Sequence, residues 1–237
     1  MKKRIWELDA FRGICVLGML IVHFVYDLTE LYRLVSWQPG DAFAWVQRWG
    51  GVLFLLLSGI CVTLGRRSIR RGLIVFGCGL VCTAVTVGMY RLGLSGNGIQ
   101  IYFGVLHCLG MCMILWPVFR RLPWWVLLPL GLGIIMTGLW VFEPMRVSYP
   151  WLLPLGIQPQ GLITSDYFPL FPNMGFFLLG SALGKTLYRR RQSLLPRVND
   201  RNFLLRFLQL CGRQSLWIYL LHQPVLSGIC WLLSLVK

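Results

Sequence analysis

The chain has 237 residues, of which 57% are hydrophobic and only 13% charged. The apolar residues come in long runs and leave no room for a separate soluble domain, so an ordinary soluble fold is excluded. A formal net charge of +15 would suit nucleic acid, but the basic residues sit in short clusters between apolar runs, as membrane topology signals do; such clusters also suit anionic lipid or a phosphorylated cofactor.

Met1, Lys2, Lys3 and Arg4 look like the start of a signal peptide. No A-x-A-like cleavage site follows, so the first apolar run is read as a retained helix. That run, LDAFRGICVLGMLIVHFVYDL (8–28), carries Asp9, Arg12, His23 and Asp27. Ionisable groups cost kilocalories in hydrocarbon, so a membrane helix rarely keeps them without a use for them. Arg12 and His23 are three helical turns apart on one face, about 16 Å along the axis. Asp27 lies at i+4 from His23, where two helical side chains can meet.

Further spans are expected at about 43–65, 72–91, 101–119, 123–142, 168–188 and 213–235, after a first at 10–30; each is near the ~20 residues a bilayer requires. The expected fold is all-α: a polytopic membrane protein of about seven transmembrane helices around a central cavity, as one domain over 1–237. Basic clusters alternate between loops. Lys2, Lys3 and Arg4, the RRSIRR run (66–71), Arg120 and Arg121, and the RRR run (189–191) with Arg197, Arg201 and Arg206 fall on one side. Positive-inside logic puts that side and the N-terminus in the cytoplasm and Lys237 outside. The loops around 31–42, 92–100 and 143–167 are then external. NFLLRFLQL (202–210) alternates apolar and basic residues and reads as an interfacial helix. Pro169, Pro172 and Pro224 predict irregular helix ends. The eight cysteines all lie in apolar runs and read as small packing residues, with no disulfide or metal site.

All three histidines lie in expected spans. For His107 and His222, an interhelical packing bond and a functional part are both open. For His23 function is favoured, because Asp27 would accept a proton from one ring nitrogen and leave the other as a general base. Arg12 is either an Asp9-paired topology anchor or an anion clamp. In the second case its distance from His23 matches the reach of a pantetheine arm. SDYFPLFPNMG (165–175) puts Asp166, Tyr167 and Asn173 at the external mouth of the sixth span, as a Pro-shaped loop or as substrate contacts.

RIWELDAFRGICVLGMLIVHF, FLLLSG, YFGVLHCLGM, SDYFPLFPNMG and GRQSLWIYLLHQPVL, in this order, resemble the heparan-α-glucosaminide N-acetyltransferase catalytic-domain family, most closely its short bacterial members. The opening motif is also similar to bacterial surface-polysaccharide O-acyltransferases. The resemblance implies a membrane acyltransferase that takes acetyl-CoA from the cytoplasm and acetylates a sugar amine or hydroxyl on the far side. Arg12, His23, His107 and His222 fall on its motif positions. The expected roles follow: His23 as base oriented by Asp27, His222 or His107 on the thioester oxygen or in proton transfer, and Arg12 with Arg66, Arg67 or Arg213 on the CoA phosphates. The expected location is the inner membrane. The expected partners are membrane lipid and a small or lipid-linked glycan acceptor, with no metal and no nucleic acid; a homodimer is one state the sequence allows. The alternative is a non-enzymatic carrier or flippase-like protein with a buried His–Asp proton relay.

Overall fold

The computed structural model describes residues 4–37, 40–96, 98–196, 198 and 202–235. The expected topology charges Lys2, Lys3, Arg197, Arg201 and Lys237 lie outside the described residues. The fold is predominantly helical: α1 (Trp6–Tyr26), α2 (Asp41–Leu64), α3 (Ser68–Arg91), α4 (Val105–Phe119), α5 (Trp124–Thr137), α6 (Leu170–Leu187), α7 (Phe203–Arg213) and α8 (Ser215–Ser234). π-helical turns extend α1 over Asp27–Leu31 and α5 over Gly138–Phe142. Two short parallel strands, β1 (Arg146–Val147) and β2 (Gln158–Pro159), bracket a 3-10 turn at Pro150–Leu155.

Among the described residues five helices are long and apolar enough to cross a membrane: Trp6–Leu31, Trp45–Leu64, Ser68–Arg91, Trp124–Phe142 and Ser215–Ser234. The other two expected spans also form helices, but of different character. α4 has only 15 residues, because residues 98–104 enter it as irregular chain. α6 carries Pro172, Asn173, Ser181 and Lys185, and buries ten residues against protein. Its backbone breaks at Phe171 (φ −104, ψ 122), next to the expected irregularity at Pro169 and Pro172. The 202–210 segment forms α7 as expected. One face of it, with Gln209, Cys211 and Gly212, is buried, while Phe203, Leu204, Phe207 and Leu210 are exposed.

The chain packs as two compact units, Met1–Phe54 with Gln192–Lys237, and Leu55–Arg191. In the first, α7 crosses α1 at a glycine pair: a β-carbon on Gly212 would fall 3.0 Å from the Gly13 amide nitrogen and against the Asp9 carbonyl. Ser193 Oγ and the Leu194 amide donate to the Glu7 carboxylate, both at 2.8 Å, and pin the chain entering α7 to the first turn of α1. In the second unit the helices also meet through glycine. Gly72 faces Gly110 between α3 and α4, and Gly131 faces Gly175 between α5 and α6. Lipid tails are as apolar as leucine, so helices in a bilayer gain from close van der Waals approach, which small residues permit. Lys185 donates to the Arg120 carbonyl at the end of α4 and to the Leu122 carbonyl in the turn that follows.

A methyl group tests this packing. A β-carbon on Gly110 would lie 2.6 Å from the Phe76 nitrogen, whereas one on Gly77 meets nothing within 4 Å. Gly110→Ala is expected to destabilise the protein by about 1–3 kcal/mol through overpacking. Gly77→Ala should raise stability slightly through helix propensity. Thermal melting of both variants in one detergent checks the contrast.

Candidate functional site

Two polar clusters lie along α1, both within the first unit. The first surrounds Asp9. Its Oδ2 accepts from Arg213 Nε at 3.3 Å, with Arg4 at 3.7 Å, and its Oδ1 faces Arg12 at 3.9 Å. Arg213 also donates to Gln209 Oε1 at 3.1 Å. Three guanidiniums around one carboxylate leave about two uncompensated positive charges, and each fork keeps donors for a further anion. The helix crossing builds this cluster. Gly13 follows Arg12 and Gly212 precedes Arg213, so the backbones that touch at the two glycines bring the two arginines to one carboxylate.

The second cluster lies about three turns along α1. The rings of His23 and His222 meet edge to face, with centroids 4.7 Å apart. His222 is 8% exposed. Its Nδ1 donates to the Tyr219 carbonyl one turn back in α8, which leaves Nε2 as the lone-pair nitrogen. That Nε2 is buried and, among the described residues, has no hydrogen-bond partner. His23 is half-buried, and among the described residues the His222 ring is its polar neighbour. One turn further, Asp27 is fully buried and accepts from Gln223 Nε2 at 2.9 and 3.0 Å and from Ser227 Oγ at 3.5 Å. His222 meets His23 and Ser227 meets Asp27, so α8 runs parallel to α1, and Arg213 at the end of α7 meets Asp9 just before α8 begins.

This corrects the expected His23–Asp27 pair. Among the described residues no hydrogen bond joins their side chains. The physical reason is that α8 offers two donors one turn apart to the carboxylate, while α1 widens into a π turn at Asp27. Sequence reasoning missed Gln223 and Ser227. Their signal was present as two polar residues at i,i+4 in an otherwise apolar helix, the first adjacent to His222.

The remaining candidates lie in the second unit. His107 has both ring nitrogens engaged. Nδ1 accepts from the Gly104 amide at 3.2 Å, so Nε2 donates to Thr83 Oγ1 at 3.4 Å. Its ring packs between Phe76 and Phe103, each 5.4 Å away. In this arrangement the two ring nitrogens cap α4 and bridge to α3. Arg66 and Arg67 are exposed in the turn between α2 and α3. Asp166 accepts from the Val105 amide at 3.1 Å and caps the start of α4. Tyr167 donates its hydroxyl to the Leu153 carbonyl at 2.8 Å, and burial pushes that hydroxyl's pKa up from the ordinary tyrosine range. Asn173 Nδ2 donates to the Pro169 carbonyl at 2.8 Å. Each of these three side chains is thus committed to holding the 164–173 segment in place.

A model of the family described as "Heparan-alpha-glucosaminide N-acetyltransferase, catalytic" matches residues 4–224. The chain belongs to that family. It is therefore a membrane acetyltransferase-family protein, in accord with its apolar helices. No curated protein and no solved structure matches the chain. The family match runs through both α1 clusters and ends at Pro224, just past His222 and Gln223.

The two hydrogen-bonded histidines carry opposite tautomers, which a spectrum reads directly. In ring-15N-histidine protein in nanodiscs near neutral pH, His222 should be protonated at Nδ1 and His107 at Nε2. Assignment by single His→Gln variants completes the measurement. Nε2 protonation of His222 would contradict the geometry.

Proposed function

We propose that the chain moves an acetyl group from cytoplasmic acetyl-CoA to a sugar hydroxyl or amine on the external face of the inner membrane, with its N-terminus in the cytoplasm. The observation that carries this reading is the buried, unpartnered Nε2 of His222 beside His23. A nitrogen whose ring partner is fixed by a backbone carbonyl is set up to receive a proton, as a general base must be. His222 therefore takes the proton from the attacking acceptor in this reading. His23, with both nitrogens available, shares the proton or orients the acceptor. The basic loop residues favour the stated orientation.

The chain's residues fit acetyl-CoA as co-substrate. Arg4, Arg12 and Arg213 would hold its phosphates, since guanidinium forks match phosphate oxygens. Acetyl-CoA supplies an acetyl group activated as a thioester. The axial separation of Arg12 and His23, about 16 Å, matches a pantetheine arm. Arg66 and Arg67 remain candidate helpers on the cytoplasmic side. Asp166, Tyr167 and Asn173 are given a supporting part, as the frame of the external mouth. The acceptor is a small or lipid-linked glycan, and the other partner is membrane lipid. Neither metal nor nucleic acid is required, and a homodimer is compatible with the reading. The carrier alternative needs a His–Asp proton relay, and Asp27 is bonded to an amide and a hydroxyl instead.

The test uses purified protein with acetyl-CoA and glucosamine as probe acceptor. His222→Ala and His23→Ala should each lower kcat by roughly a hundredfold or more while the protein still inserts and melts normally. The Arg12→Ala/Arg213→Ala variant should raise KM for acetyl-CoA by at least about tenfold with kcat nearly kept. Full activity in both histidine variants would sink the assignment. Unchanged KM in the arginine variant would return Arg12 to the anchor reading.

A further inference from the structure

We propose that Asp27 is a positioning residue that acts through Gln223 and Ser227 to hold the His222 ring against His23. Asp27 is fully buried on the seam between α1 and α8, and the hydrogen-bond partners of its carboxylate in the described structure are neutral side chains of α8. A carboxylate in an apolar interior is costly unless its oxygens are satisfied, so this arrangement is tightly specified. The Gln223 amide spans both carboxylate oxygens, at 2.9 and 3.0 Å, which fixes the rotation of α8 about its own axis. Ser227, one turn on, reaches Oδ2 at 3.5 Å and Gln223 Nε2 at 3.4 Å, which fixes the tilt.

His222 immediately precedes Gln223, so the rotation set by the amide also sets where the imidazole points. The clamp sits where α8 most needs one. Pro224 has no backbone N–H, so the Leu220 carbonyl loses its helical partner and the helix is locally weaker beside His222. The Tyr219 carbonyl fixes the proton on the His222 ring, and Asp27 fixes the ring relative to α1. The two controls act on different degrees of freedom. The inference rests on the proposed function only in giving His222 a part in proton transfer; the ring contact is measured without turnover.

The experiment uses full-length protein in nanodiscs with 13C,15N-histidine. The chain has three histidines, so a ring-to-ring cross-peak between His23 and His222 is resolvable by solid-state NMR. Gln223→Leu and Gln223→Glu should each lose that cross-peak, the second because a carboxyl group carries at most one proton and cannot donate to both Asp27 oxygens as the amide does. Both should lower kcat with acetyl-CoA and glucosamine by about tenfold or more, with KM for acetyl-CoA within about twofold. Adding Asp27→Asn to Gln223→Glu reverses donor and acceptor, and should restore both cross-peak and kcat; mutual rescue identifies a coupled pair. Cross-peaks that persist in the single variants overturn the proposal. So does a double variant that folds without regaining the contact. If a single variant fails to fold, the double variant decides alone by the same criterion. A wild-type protein inactive with these substrates, but with the expected cross-peak pattern, overturns acetyl transfer to glucosamine and supports the positioning role.

Discussion

A carboxylate buried in a membrane-spanning helix governs the geometry of the first unit. Asp27 is fully buried on an element of strongly apolar sequence, where an uncompensated ion costs several kilocalories. It is matched by an amide and a hydroxyl from α8. Neutral donors bring no second charge to desolvate, and their planar or directional geometry constrains the partner helix more narrowly than apolar packing does. The parallel course of α1 and α8 follows from these bonds together with the Asp9–Arg213 contact near the other end of α1. The His23–His222 contact lies between those two fixed points.

Two histidines in apolar surroundings illustrate how environment divides roles. His107 sits at the first turn of a helix, where an orphan amide faces its Nδ1, and a threonine one helix away takes Nε2. Both ring nitrogens are thereby engaged within the protein. His222 sits mid-helix, where backbone donors are already used internally, so only a carbonyl is offered to it. That carbonyl takes the Nδ1 proton and leaves a lone pair on Nε2. The same residue type has both ring nitrogens bridged in one place and one nitrogen without a hydrogen-bond partner among the described residues in the other.

Much of this was legible from residue order. The stripe of Asp9, Arg12, His23 and Asp27 follows from helical periodicity, and α1 is one continuous helix that preserves it. The amphipathic 202–210 segment announced α7. What periodicity does not report is the partner across a helix interface. Asp27 was paired with His23 on spacing, because Gln223 is 196 residues away and its register depends on packing. Asp166 read as a possible substrate contact, but the amide it caps is 61 residues distant. The span expected at 168–188 forms α6, but apolarity does not report that its glycines and polar residues are buried against protein.

Three arginines gathered around one carboxylate raise the question of what the anion does there. Three guanidiniums with no carboxylate between them would repel and splay towards solvent. Asp9 lowers that repulsion and orients them, while one carboxylate is too little charge to neutralise three. The cluster therefore stays cationic and also stays assembled. Its assembly depends on closeness that only glycine permits: the Asp9 carbonyl occupies the space that a side chain on residue 212 would need. Backbone contact, counter-ion and the direction of Arg213 are set by the same few atoms. A larger residue at Gly13 or Gly212 would thus disturb charge placement through packing alone, although neither glycine carries a charge.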